Sequence, residues 1–343
     1  MLGSGIQEAN GGVARYHRAD LATNLPVSTE ITGYALAGFC YLFELTGREE
    51  YLAAARRAGN FLTQQAWDAT TGTMPFELSP GGRYSYFFDC GIIARALLWL
   101  WRLDGKEENL AVARGLGQSL DRDFRSLSAF HPIILLPCKS PDQYTLWWSR
   151  MPGAFQLKAA LAWKDLAEET GEAKFAALYE EMLAFSLKRY SETLDNEPLD
   201  NETGRPKLMD RLHAWSYFLE GLQPVREREA VRSILAAALE RGETLLEELS
   251  SVFLRSDACA QLMRIRLLAG GPVSAASIER LAQFQWHSED PRLHGCFAFG
   301  SRNGERIPHA NPVSTVFALQ ALHMTQQEHL QNNLASFDWR KLI

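Results

Sequence analysis

A short phrase recurs along this 343-residue chain: Thr46-Gly47-Arg48-Glu49-Glu50-Tyr51-Leu52, then Asp104-Gly105-Lys106-Glu107-Glu108-Asn109-Leu110, then Thr170-Gly171-Glu172-Ala173-Lys174-Phe175. In each copy the glycine stands where a helix C-terminus calls for a left-handed residue. The acidic residues after it stand where the next helix N-terminus attracts negative charge. Each copy therefore reads as the tip of a helical hairpin. Breaks at Gln223-Pro224 and Gly270-Gly271-Pro272 extend the series. Hairpins then recur every ~50 to 70 residues, a period that marks a repeat architecture.

The segments between the tips are of two kinds. Residues 31–45, 87–103, 154–166, 212–222, 258–268 and 313–322 are apolar almost all round and carry small residues such as Gly33, Gly38 and Ala96. Helices of that kind are buried on every side. Residues 49–65, 107–124, 172–190, 227–249 and 274–285 place apolar side chains at helical spacing opposite a charged face, the pattern of an outer helix. The simplest assembly is an all-α (α/α)6 toroid: an inner ring of apolar helices wrapped by an outer ring of amphipathic ones, the sixth outer helix drawn from 326–334. This toroid spans residues 26–343. Pro26-Val27-Ser28-Thr29 opens its first inner helix and Pro312-Val313-Ser314-Thr315 its last, each pairing a fixed proline dihedral with capping hydroxyls. Residues 1–25 form an N-terminal segment, read either as a lid over the mouth or as a disordered tail.

Composition narrows the function. With 46% hydrophobic and 11% aromatic residues the chain reads as a well-buried globular protein. A net charge of -6 with no basic stripe argues against nucleic acid or an anionic membrane as partner. No run approaches the roughly 20 apolar residues of a membrane span. Five cysteines without CxxC spacing (Cys40, Cys90, Cys138, Cys259, Cys296) read as reduced, mostly buried thiols, and the expected location is cytoplasmic. No HExxH, phosphate-cradling loop, nucleophile elbow or zinc spacing occurs, so no metal or organic cofactor is expected.

In a toroid the loops entering the inner helices form the mouth, so polar residues at the heads of those helices are the candidates. The sequence offers one group per hairpin: Glu30; Asp89; Arg150 after Trp147 and Trp148; Asp210 and Arg211 with His213; Asp257 with Gln261 and Arg264; and His309 with Asn311. The plainer reading of Glu30, Asp89 and Asp257 is that acids at helix starts are favoured by the macrodipole whatever the function. Asp89 stands out because Phe87, Phe88, Cys90 and Gly91 flank it and an apolar helix follows. A carboxyl there has a raised pKa, as a general acid requires; its plainer role is a cap paired with Arg95. His213 shares a helical face with Asp210 and is either a proton relay or structural. Arg211 and Arg264 are either anchors for an anionic ligand group or partners in salt bridges. Tyr34, Tyr86, Phe88, Trp147, Trp148 and Trp215 suit the apolar faces of sugar rings and equally suit a core.

On its hairpin number, inner and outer alternation and Thr-Gly-Arg-Glu turns, the chain resembles the six-hairpin glycosidase superfamily from Ser28 to about Thr325. That superfamily includes unsaturated glucuronyl hydrolases, N-acetylglucosamine 2-epimerases and polysaccharide lyases. A second likeness, to prenyltransferase and terpene cyclase toroids, rests on Phe61-Leu62-Thr63-Gln64 and Phe284-Gln285-Trp286 with the glycines and phenylalanines that follow. It lacks the aspartate-rich motif of those cyclases and is structural. The first resemblance implies that Asp89 matches the acid and base of the glucuronyl hydrolases, and that histidines such as His213 carry protons in the epimerases. The ligand is then a saccharide or sugar acid. The leading expectation is a glycoside hydrolase in which Asp89 is the acid and Asp257 or Glu30 the second carboxylate. The alternatives are an epimerase or lyase using His213, His309 or a tyrosine, and a saccharide-binding toroid without chemistry.

Overall fold

The computed structural model describes residues 2–78, 84–145, 147–194, 204–330, 334 and 337–343. Its α-helices are α1 (Thr29–Thr46), α2 (Glu49–Asn60), α3 (Phe87–Asp104), α4 (Glu107–Arg122), α5 (Gln156–Thr170), α6 (Ala173–Arg189), α7 (Gly204–Gly221), α8 (Glu229–Leu249), α9 (Ser256–Leu268), α10 (Ala275–Ala282) and α11 (Pro312–His329). The hairpin tips form as their sequence requires. Gly47, Gly105 and Gly171 sit at φ of 67°, 68° and 70°, and each donates its N–H back to the preceding helix, to the carbonyls of Phe43, Trp101 and Ala167. A side chain at such a position costs about 1–2 kcal/mol.

The chain packs as two compact units, Met1–Arg15 with Asn24–Lys188, and Tyr16–Thr23 with Arg189–Ile343. In the first, α1 packs on α3 and α3 on α5, while α2 and α4 cover them from outside. The inner helices are buried through their length: α3 is buried without interruption from Phe87 to Leu100. Gly91 makes the close approach possible, because a Cβ there would lie 2.4 Å from the Ala159 carbonyl oxygen of α5. At the head of α3 the rings of Phe87, Phe130 and Trp163 meet at 5.1–5.6 Å, and burying each such side chain contributes about 2–3 kcal/mol.

In the second unit α7, α9 and α11 form the inner row, α8 covers α7 and α9, and α10 covers α9. The sixth outer helix expected from residue 326 does not begin there. Residues 326–329 continue α11, because no glycine or proline interrupts the apolar run, and 331–333 lie outside the described residues. The chain ends in a short turn, Trp339–Lys341, followed by Leu342 and Ile343, both buried.

Short strands, which the helical periodicity does not signal, lead into the inner helices. Val27–Ser28 precedes α1 and pairs with Val13–Ala14; Tyr84–Tyr86 precedes α3 and pairs with Ile133–Leu135. Phe253–Arg255 precedes α9 and pairs with Gly300–Arg302; His309–Ala310 precedes α11 and pairs with His17–Arg18. Each pairing fixes the direction from which a helix head is entered. The N-terminal segment takes part: Val13 and Ala14 are fully buried, and the Val13 N–H donates to Thr32 Oγ1 at 2.9 Å. All five cysteines are free; Cys40, Cys90 and Cys259 are buried, whereas Cys138 is exposed.

Candidate active site

In the first unit the heads of α1 and α3 bring two carboxyls under mutual influence. Ser28 caps α1 and Glu30 follows in the first turn; Tyr86 ends its strand at the N-cap of α3 and Asp89 follows there. Asp89 is 6% exposed, and its Oδ2 has no hydrogen-bond partner among the described residues. Burial, and then the charge of Glu30, push the Asp89 carboxyl well above its ordinary range, while burial raises Glu30 to about 7. The helix dipole works the other way but is smaller than the loss of water. Arg95 does not act as the counter-charge for Asp89: its field falls on Asp165, whose carboxyl burial still raises to about 6. Asp89 therefore keeps its proton near neutral pH while Glu30 titrates there, an arrangement suited to giving and taking protons.

Aromatic side chains lie on the strand and loops that lead into α3 and α5, and Tyr86 is near enough to feel the charge of Asp89. The Tyr86 ring lies 5.4 Å from Phe76 and 6.3 Å from Tyr84, and burial and Asp89 raise its phenol to about 12. Arg150 pairs with Asp142 at 3.1 Å and stands over the Tyr84 ring. Phe88 and Trp148 both pack on Phe155, at 6.1 and 5.0 Å, whereas Trp147 is 58% exposed. Tyr34 is buried within α1.

In the second unit the candidates form a buried polar chain. Arg255, last in its strand, holds Asp257 with two hydrogen bonds (2.9 and 2.7 Å) and reaches Asp210 at 2.7 Å. Burial alone would raise Asp257; Arg255 and the Ala258 N–H outweigh it and leave the carboxyl below its ordinary range. Asp257 is thus a fixed anion. His213 Nδ1 lies 2.7 Å from Gln261 Oε1 and 3.8 Å from Asp257 Oδ1, and its ring stands edge-on to Tyr217. Burial and Arg255 lower His213 to about 4, so it is neutral at physiological pH. Beyond Gln261 lie Glu220 and Arg264, both with side chains fully buried and ion-paired. Arg264 also donates to Gln320 Oε1 (2.9 Å) and the Ile343 carbonyl (3.0 Å) over the Phe317 ring. So enclosed, Arg264 holds the protein together.

Other predicted residues separate from this chain. Trp215 turns outward, donating to the Ala238 carbonyl of α8 at 3.0 Å. Arg211 approaches the Thr193 carbonyl at 3.4 Å. Asn311 caps α11 through the N–H groups of Val313 and Ser314, and His309 stacks on Tyr16 at 4.3 Å. Because α7 begins at Gly204, Asp210 and His213 lie beyond its first turn. Sequence reasoning missed Arg255, Glu220 and Gln320. A signal was present, since Asp257, Gln261 and Arg264 share one face of α9 at i, i+4 and i+7, and His213 and Glu220 repeat at i, i+7 on α7. A cavity of about 400 Å³ also opens between α8, α9 and α10, over Leu246, Cys259, Leu262 and Met263; no predicted site residue lines it. Among the described residues no His, Cys, Asp and Glu cluster could hold a metal, and no helix is long and apolar enough to cross a membrane.

The inner and outer helices and the strand-led helix heads define an all-α (α/α)6 toroid of the six-hairpin type. The same fold is seen in cellobiose 2-epimerase from Spirochaeta thermophila (TM-score 0.71, 14% identity, 96% of this chain and 93% of that one). It is seen too in a sugar epimerase from a ruminal bacterium (TM-score 0.68, 11% identity, 94% of each chain). A D-mannose isomerase matches with a TM-score of 0.64 at 11% identity over 94% of this chain and 93% of that one. No protein-family model and no curated protein sequence matches the chain.

Proposed function

We propose that this protein is a saccharide-processing enzyme that works by general acid–base catalysis, with glycoside hydrolysis as the reaction and Asp89 and Glu30 as the pair. The observation that carries this reading is the Asp89 carboxyl: buried, with no cation beside it and one oxygen unpartnered among the described residues, and tied to the titration of Glu30. Protonated Asp89 gives its proton to the glycosidic oxygen as the bond from that oxygen to the anomeric carbon breaks. Glu30 takes a proton from the water that attacks that carbon, and transfer from Glu30 to Asp89 resets the pair. Asp257, held by Arg255, does not serve as the second carboxylate in this reading. Tyr86 and the neighbouring aromatics suit the apolar faces of the sugar.

A second reading, sugar 2-epimerisation or aldose–ketose isomerisation through His213, is favoured by its neutral imidazole and by the two epimerases and the isomerase with the same fold. One assay separates the two. Disaccharides and reducing sugars are incubated with the protein in D2O, and new reducing ends and deuterium at C2 are both followed. Hydrolysis without C2 deuterium, lost in Asp89→Asn and Glu30→Gln but kept in His213→Asn, supports the first reading. Turnover undiminished in Asp89→Asn refutes it, and C2 exchange lost in His213→Asn selects the second.

A further inference from the structure

Gln261 sits between an imidazole and a carboxylate, and the two ends of its amide are not equivalent. Its nitrogen end faces Glu220 Oε2 at 3.5 Å, and its oxygen end faces His213 Nδ1 at 2.7 Å. Turning the amide over would set its oxygen against the Glu220 carboxylate, which Arg264 keeps charged and in place. The amide oxygen must then point at His213, and an oxygen there can only accept. Asp257 Oδ1, 3.8 Å from the same nitrogen, is a further acceptor on that side, but Arg255 Nε (2.9 Å) and the Ala258 N–H (2.8 Å) already hold it.

We infer that Gln261 is a positioning residue for His213: oriented by Glu220 and Arg264, it accepts the Nδ1–H and fixes the ring as the neutral Nδ1–H tautomer, in which the lone pair is on Nε2. The order Arg264, Glu220, Gln261, His213 is a chain of buried groups, each of which settles the orientation of the next. It requires nothing of the Glu30–Asp89 pair and stands whichever reaction the protein carries out. It also gives α7 and α9 a task beyond packing, since His213 and Glu220 of α7 pair across to Gln261 and Arg264 of α9.

The test is spectroscopic and needs no substrate. Nitrogen-15 correlation spectra of the full chain, labelled in histidine, report which ring nitrogen carries the proton, with His213→Asn assigning the signal. At neutral pH the wild-type ring should be Nδ1–H in excess of about tenfold, the preference one buried hydrogen bond supplies. Gln261→Met, which keeps the volume and removes the acceptor, should admit a substantial Nε2–H population. Gln261→Glu, which restores an acceptor, should return the ring to Nδ1–H. A wild-type ring that is mainly Nε2–H overturns the inference, as does an unchanged tautomer ratio in folded Gln261→Met. If Gln261→Met does not fold, the wild-type and Gln261→Glu spectra decide, and Nε2–H in either one is contrary.

Discussion

The contact between α3 and α5 at Gly91 gives a severe test of the packing that sets Asp89. A Cβ added there would lie 2.4 Å from the Ala159 carbonyl oxygen and 2.6 Å from the Ala159 Cβ. Both obstacles belong to or adjoin the backbone of a helix, so no rotamer change relieves them. To restore the ~3.5 Å of ordinary contact the helices must part locally by about 1 Å, which forfeits a quarter to a half of the dispersion energy of the atoms along the seam. Overpacking of this kind costs about 1–3 kcal/mol, and with the backbone in the way the upper part of that range applies. The better helix propensity of alanine returns about 1 kcal/mol. Gly91→Ala should therefore be destabilised by about 2 kcal/mol, read as a lower urea midpoint with an unchanged slope. Adding Ala159→Gly should recover less than half, because the nearest clash is with the carbonyl oxygen and remains. Gly91→Ala as stable as the wild type, or rescued completely by Ala159→Gly, would refute this account of the seam.

Other outcomes follow from the polar residues. Glu30, with an ordinary value of 4.5 and a folded value of about 7, keeps its proton in the native state over a range where the unfolded chain has released it. Glu30 should therefore make stability fall by about 3 kcal/mol as pH rises from 4.5 towards 7, and Glu30→Gln should lessen the slope of denaturation midpoints across the range, leaving the part of the same sign due to Asp89. Arg264→Met should cost about 3–5 kcal/mol in the same assay, since it removes one partner of a buried ion pair and leaves the Glu220 carboxyl behind. Asn311→Ala removes the cap of α11 and should cost about 1 kcal/mol, visible as a lowered Tm.

What could be read from the sequence was local. Gly47, Gly105 and Gly171 need a left-handed backbone and so announce the hairpin tips, and the all-round apolar runs announce α1, α3 and α5 to within a few residues. Asp89 and Glu30 were legible for the same reason: a carboxylate at the start of a greasy helix is conspicuous. What escaped was decided between distant segments. The pairing of Tyr84–Tyr86 with Ile133–Leu135 joins stretches too short to show a period. The sequence left Arg264 open between a ligand anchor and a salt-bridge partner, because Glu220 lies 44 residues away on another helix. Trp215 could not be oriented, since the apolar sequence of α7 names no face and only α8 supplies the carbonyl it bonds. The end of α11 was misjudged because its polar last turn resembles the start of an outer helix.

The central claim is that Asp89 keeps its proton at neutral pH while Glu30 titrates there. Carboxyl carbon-13 titration of the labelled full chain, with Glu30→Gln and Asp89→Asn to assign the two signals, measures this directly. Glu30 should titrate near pH 7 while Asp89 stays protonated through that range, and Glu30→Gln should lower the pKa of Asp89, whereas Asp89→Asn should leave Glu30 near 7. Two independent titrations, both complete by about pH 5 as for ordinary carboxylates, would contradict the account.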